Sequence, residues 1–189
     1  MKTETLILIL IAVGILAVVV LAILTGTRKG RSQKLREKYG PEYDFTMEKV
    51  GGQRKTEETL KEREKRVNKL DIRALDEHAR ERYHGEWNKI QTDFVDNPSK
   101  SVEQANRLIM EVMVARGFPV ADIEQRAADL SVMYPNFVPN YRNAYAIALK
   151  NQSNEASTEE LRQAMVYYHS LFEELLGTVE ANENDAATK

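Results

Sequence analysis

The stretch DEHARERYHGEW, Asp76 to Trp87, sets two of the chain's three histidines among carboxylates and aromatic rings. These are the residue types that ligate transition metals or move protons. His78 and His84 are six residues apart, so at about 100° per residue on a helix their side chains diverge by about 120°. They cannot share one ion as the histidines of an HExxH pair do. Glu81 and His84 make one Glu-x-x-His step, the unit of carboxylate-bridged di-iron bundles, but such bundles need a second step and further glutamates. Leu75 stands three before His78 and Val166 three before His169, so no second step exists. His169 precedes Ser170, yet adjacent residues on a helix face different ways and no nucleophile elbow surrounds the serine. Gly51-Gly52 is followed by Gln53, without the Gly-Lys-Ser/Thr step of a phosphate loop. The carboxylates Glu77 and Glu81 fit a solvated helix face. The pattern assigns no catalytic residue, no cofactor and no metal, and it predicts a protein that is not an enzyme.

The elements that carry these residues are bounded by composition. A chain of 189 residues holds one ordinary domain with accessories. The absence of cysteine excludes disulfides and thiolate metal sites. A formal charge of −2 with no basic domain excludes nucleic acid as the expected partner. The charge is distributed unevenly, with a basic excess from Arg28 to Leu70 and an acidic one from Glu155 to the C-terminus.

Leu6 to Leu24, LILILIAVGILAVVVLAIL, is an uncharged apolar run long enough to cross a hydrocarbon core of about 30 Å. It is too long for the apolar core of a signal peptide, and Leu24-Thr25-Gly26 is a poor cleavage site. Residues 1–27 are therefore expected to be a transmembrane anchor. Arg28, Lys29, Arg31 and Lys34 follow at once. Basic residues beside a span stay in the cytoplasm, which predicts an inner-membrane protein with its N-terminus out and its C-terminal domain cytoplasmic. The alternative places that domain outside the cytoplasm. The same flank, with the span, makes membrane lipid an expected partner.

Residues 28–70 read as a basic, jointed connector, broken at Gly40-Pro41 and Gly51-Gly52. Its last segment, QRKTEETLKEREKRVNKL, has helical propensity but few apolar positions, chiefly Leu60, Val67 and Leu70; it is expected to be a solvated stalk helix. Residues 71–177 then carry five amphipathic patterns. The first, about Asp76 to Val95, aligns Ala79, Tyr83, Trp87, Ile90 and Phe94. The second runs from Pro98, a residue suited to a first helical turn, to Arg116, with Gly117 as its cap. The third spans about Asp122 to Tyr134, and Pro135 and Pro139 bracket a turn before the fourth, which ends near Lys150. The fifth opens on Ser157 and Glu160 in capping-box spacing and ends at Gly177. Residues 178–189 are expected to be a disordered acidic tail. No segment alternates polar and apolar residues, so the fold class is all-α: an N-terminal transmembrane helix, a charged helical stalk and a small bundle of about five amphipathic helices.

Several blocks, LREKYGPEYD, KLDIRAL, RYHGEWNKIQTDFVDNP, GFPVADIEQRAADLSVMYP and ASTEELRQAMVYYHSLFEELL, resemble an uncharacterised family of bacterial single-pass membrane proteins with a C-terminal helical domain. The resemblance covers nearly everything after the span. It implies architecture alone, since no activity, cofactor or partner is attached to that family. It also implies a pattern that includes Arg82, Tyr83, Trp87, Gln91, Phe94, Asp96 and Pro98, then Pro119, Gln125, Arg126, Asp129 and Tyr141, but not His78 or His84. Arg126 and Asp129 are charged residues one turn apart on a short, otherwise apolar helix. An ion pair within or between helices is one expectation for them. A partner-binding patch of Gln125, Arg126, Asp129 and Tyr141 is the sharper one.

The expected function is a membrane-anchored, non-enzymatic helical domain that binds a protein partner or scaffolds proteins at the bacterial inner membrane. The alternative is a membrane-tethered enzyme with a site between helices that acts on an envelope component. The orientation is directly measurable. A fluorescent protein fused to the C-terminus should be bright and an alkaline phosphatase fused there silent; the opposite result places the domain outside the cytoplasm.

Overall fold

The structure is a computed structural model that describes residues 32–177, together with positions 14, 16 and 30. The span predicted over Leu6 to Leu24 lies outside the described residues apart from positions 14 and 16, as do Arg28, Lys29, Arg31 and the acidic tail. Among the described residues no helix is long and apolar enough to cross a membrane.

Every regular element among the described residues is α-helical. The helices are α1 over 32–39, α2 Pro41–Val50, α3 Gln53–Val67, α4 Glu77–Asp93, α5 Pro98–Ala115, α6 Ile123–Met133, α7 Val138–Gln152 and α8 Thr158–Gly177. The last five are the predicted bundle helices. Local chemistry explains their starts. The Asp76 carboxylate accepts from the Ala79 amide at 2.7 Å, and Asp122 accepts from the Gln125 amide at 2.8 Å. Ser157 and Glu160 close the predicted capping box, each amide donating to the other's side chain at 2.9 and 3.2 Å. With Lys150 and Ser157 both donating to it, the Glu160 carboxyl is held down at about 2. Pro139 does not bracket a turn as the sequence suggests. It lies in the first turn of α7, where its missing amide leaves no hydrogen bond unmade.

In the main core, α8 lies against both α5 and α7, and α4 packs on α5. Trp87 and Ile90 from α4, Ile109 and Met113 from α5, and Tyr168, Phe172 and Leu175 from α8 are buried there. The end of α5 is fastened by Arg116, which is 1% exposed. Its guanidinium donates to the Leu175 carbonyl at the end of α8 at 2.7 Å and to the Arg73 carbonyl at 3.3 Å. The following residue, Gly117, has φ +98°, and a Cβ there would overlap the Asp71 carbonyl. The chain before α4 can pass so close only because residue 117 is glycine.

The connector is not a solvated stalk. Helix α3 buries Thr56, Leu60, Arg63 and Val67 and packs on α6, while α2 packs on α3 and α7. Leu35, Tyr39, Tyr43 and Leu60 form a second small core. Apolar periodicity underestimates this docking because two of the four buried positions on α3 are Thr56 and Arg63. Arg63 is tolerated there because Glu42, wholly buried on α2, accepts from it at 2.8 Å. Arg142 from α7 grips the same carboxylate at 2.6 and 3.2 Å, and its guanidinium lies 4.1 Å from the centre of the Phe45 ring. Arg63 also donates to Ser131 of α6 at 3.2 Å. Removing a buried carboxylate strands its cationic partners and typically costs about 3–5 kcal/mol. Glu42→Ala should lose stability on that scale in urea unfolding, whereas a loss below about 0.5 kcal/mol, the usual surface value, would show that the connector does not depend on this carboxylate.

Candidate functional site

Of the four residues of the predicted patch, Arg126, Asp129 and Tyr141 are buried and Gln125 is half-buried. Gln125, Arg126 and Asp129 lie on α6 and Tyr141 on α7. Asp129 is 1% exposed and Tyr141 0%, and burial pushes the Tyr141 hydroxyl up to about 12. Arg126 lies 6.0 and 5.8 Å from the ring centres of Tyr141 and Tyr145. An ion pair is present, but its cation is not Arg126. Arg66 of α3 reaches the Asp129 carboxylate at 2.6 Å, and the Gln125 amide donates to the same oxygen at 2.9 Å. The group forms a seam that fastens the connector to the bundle. A recognition surface would need side chains that folding has placed within it.

The histidines separate differently from their sequence order. His78 is exposed on the first turn of α4. His84, one and a half turns on, faces α8, where it meets the third histidine. His169 Nε2 lies 3.2 Å from Glu173 Oε1 and His84 Nδ1 lies 4.0 Å from the same oxygen. Beneath them Trp87, 2% exposed, stacks on His169 with ring centres 5.2 Å apart and on Phe172 at 4.9 Å. His84 meets Phe172 edge-on at 5.6 Å. Offset and edge-on aromatic contacts of this kind add to burial and fix ring positions. Sequence spacing shows only half of this cluster: the helical step from His169 to Glu173 is legible, whereas His84 joins it only once α4 lies against α8.

Recesses open at either side of the bridge that His84, Glu173 and His169 form across the two helices. One, of about 230 Å³, is lined by Trp87, Gln91, Phe94, Arg162, Met165, Val166 and His169. The other, of about 200 Å³, is lined by Glu77, Arg80, Glu81, His84, Glu173, Leu176 and Gly177. The first is apolar and aromatic, the second mostly acidic. The Trp87 Nε1–H is buried and has no acceptor among the described residues, a condition that costs free energy. Larger in volume, at about 420 Å³, is a hollow between α7 and α8 walled by Asn143, Ile147, Lys150, Gln163 and Tyr167 among others. It holds no buried unpartnered donor. Among the described residues no group of three or more His, Cys, Asp or Glu is placed to hold a metal ion. The α4–α8 seam offers an apolar, aromatic recess beside an acidic margin, components of a binding surface.

Compared with protein-family models, curated proteins and solved structures, the chain matches none.

The seam separates packing from surface chemistry in a measurable way. Trp87→Ala should cost about 3–5 kcal/mol in urea unfolding, the usual loss for a buried large aromatic. His169→Ala removes a half-exposed ring and should cost about 0.5–1.5 kcal/mol, the usual worth of an aromatic pair. It should nevertheless shift the emission of Trp87, the one tryptophan of the chain, and unchanged emission would show that the stack is not formed in solution.

Proposed function

We propose that this chain is a membrane-anchored, non-enzymatic interaction module at the bacterial inner membrane, with its helical bundle on the cytoplasmic side. The observation that carries the reading is the α4–α8 seam, where an open recess is walled by Trp87, Phe94, Met165 and Val166. Aromatic side chains with a polar edge dominate protein–protein recognition because they bury much area and lose little rotamer entropy. The interior charges support the same reading from the other side. Glu42, Asp129 and Arg116 are each held by partners from other elements, so their chemistry is spent on structure. Membrane attachment rests on the apolar run from Leu6 to Leu24 and the basic flank Arg28, Lys29, Arg31 and Lys34, which would also attract anionic headgroups. The bacterial family resemblance is consistent with this arrangement.

Placement of a photo-crosslinking amino acid tests the reading in living cells. At Val166, a half-exposed residue of the seam, illumination should give discrete adducts. At Val95, 83% exposed on the connection after α4, the same adducts should be missing. No adduct at Val166, or the same adducts at both positions, would overturn the assignment of the seam as the interaction surface.

A further inference from the structure

The chemistry of the two recesses specifies what the seam would hold. This step rests on the interaction reading above and names the partner class. We propose that the α4–α8 seam takes a basic peptide segment of a partner protein that sets one large apolar side chain over Trp87 and lays its Lys or Arg residues along Glu173 and Glu81.

The apolar end has room for one side chain. Its volume of about 230 Å³ suits a phenylalanine or leucine and little more. Its walls include Trp87, Phe94, Met165 and Val166, and burying such an anchor is worth about 25 cal/mol per Å² of apolar area. The charges lining this end do not select an anion: Arg162 is already matched by Glu159 at 2.8 Å, and His169 lies against Glu173.

The other end selects by charge. Glu77, Glu81 and Glu173 line it, with Arg80 as the cation among its walls. Arg80 is paired with Glu77 at 2.8 Å. Among the described residues Glu81 has no cationic partner, and Glu173, half exposed, has the two imidazoles beside it. Two carboxylates of one margin are therefore available to an arriving cation, and complementary charge of this kind governs encounter and selectivity. The fold also sets a distance. Met165 and Glu173 are eight residues apart on α8, about 12 Å at 1.5 Å per residue. An extended partner segment, at about 3.3 Å per residue, spans that with three to four residues. The recognised pattern is an apolar anchor followed or preceded by Lys or Arg three to four positions away.

Full-length protein in nanodiscs of zwitterionic lipid, which gives a basic peptide no anionic surface, provides the test. Trp87 emission is the readout, since the chain has no other tryptophan. The probe is a twelve-residue Gly/Ser peptide with one central Phe and Lys residues three and four positions from it. Its controls carry Phe→Ser, or Glu in place of both Lys. The proposal expects a saturable emission change with the probe and none with either control. It also expects a rise in Kd of about fivefold for the double variant Glu81→Gln, Glu173→Gln, the size that two exposed charge contacts supply; both positions are solvent-facing, so the fold should be retained, as circular dichroism would verify. No saturable change with the probe, equal response to the acidic control, or an unchanged Kd in the double variant would each overturn it. If the probe fails while Val166 still forms discrete adducts in cells, the interaction module stands and the basic-segment proposal falls. If both fail, the module reading falls with it.

Discussion

A single carboxylate, Glu42, carries much of the architecture. It is wholly buried on α2 and held by Arg63 from α3 and Arg142 from α7. Taking a charge out of water is costly, and mutual attraction repays the cost only when geometry is good and the remaining hydrogen bonds are made. Here one oxygen accepts from both arginines and the other from Arg142, so the three helices cannot drift apart without exposing an unmatched ion to an apolar surround. The interaction therefore specifies position as much as it stabilises. It also settles why α3 lies on α6: Arg63 continues to Ser131, and one turn along α3 Arg66 continues to Asp129.

The bundle is closed by a second polar device of a different kind. Arg116 ends α5 with its guanidinium enclosed, but its acceptors are backbone carbonyls and the Tyr134 hydroxyl. Carbonyls at helix ends and in loops lack partners within their own element, so one arginine satisfies the end of α8 and the loop before α4 together. That loop reaches Arg116 because Gly117 leaves room for Asp71. With the connector fixed by Glu42 and the loop by Arg116, α4 is held against α5 and α8. The seam that carries Trp87 and the two converging histidines is the consequence.

This arrangement divides labour between the faces of the molecule. At the junctions of α2, α3, α6 and α7 the carboxylates Glu42 and Asp129 are buried and matched by arginines. Those on the α4–α8 margin are exposed, and Glu81 is unmatched among the described residues. An exposed carboxylate contributes little to folding, and Glu81 lines the acidic recess at one end of the seam.

What the sequence determined by itself was local. Period-3.6 apolar stripes gave five bundle helices, and Asp76, Asp122 and the Ser157–Glu160 pair marked helix starts, because capping and amphipathicity depend on residues within one or two turns of each other. The divergence of His78 and His84 was legible for the same reason. What only the tertiary structure decided involved partners distant in the chain. The pairing of Asp129 with Arg66 instead of Arg126, the burial of Tyr141, the docking of α3 and the meeting of His84 with His169 at Glu173 all depend on which helix lies beside which. A buried ion pair hides its own signal in the sequence, since each half alone has the pattern of a solvated charge. Arg63 can lie inside because Glu42, twenty-one residues earlier, supplies the matching charge.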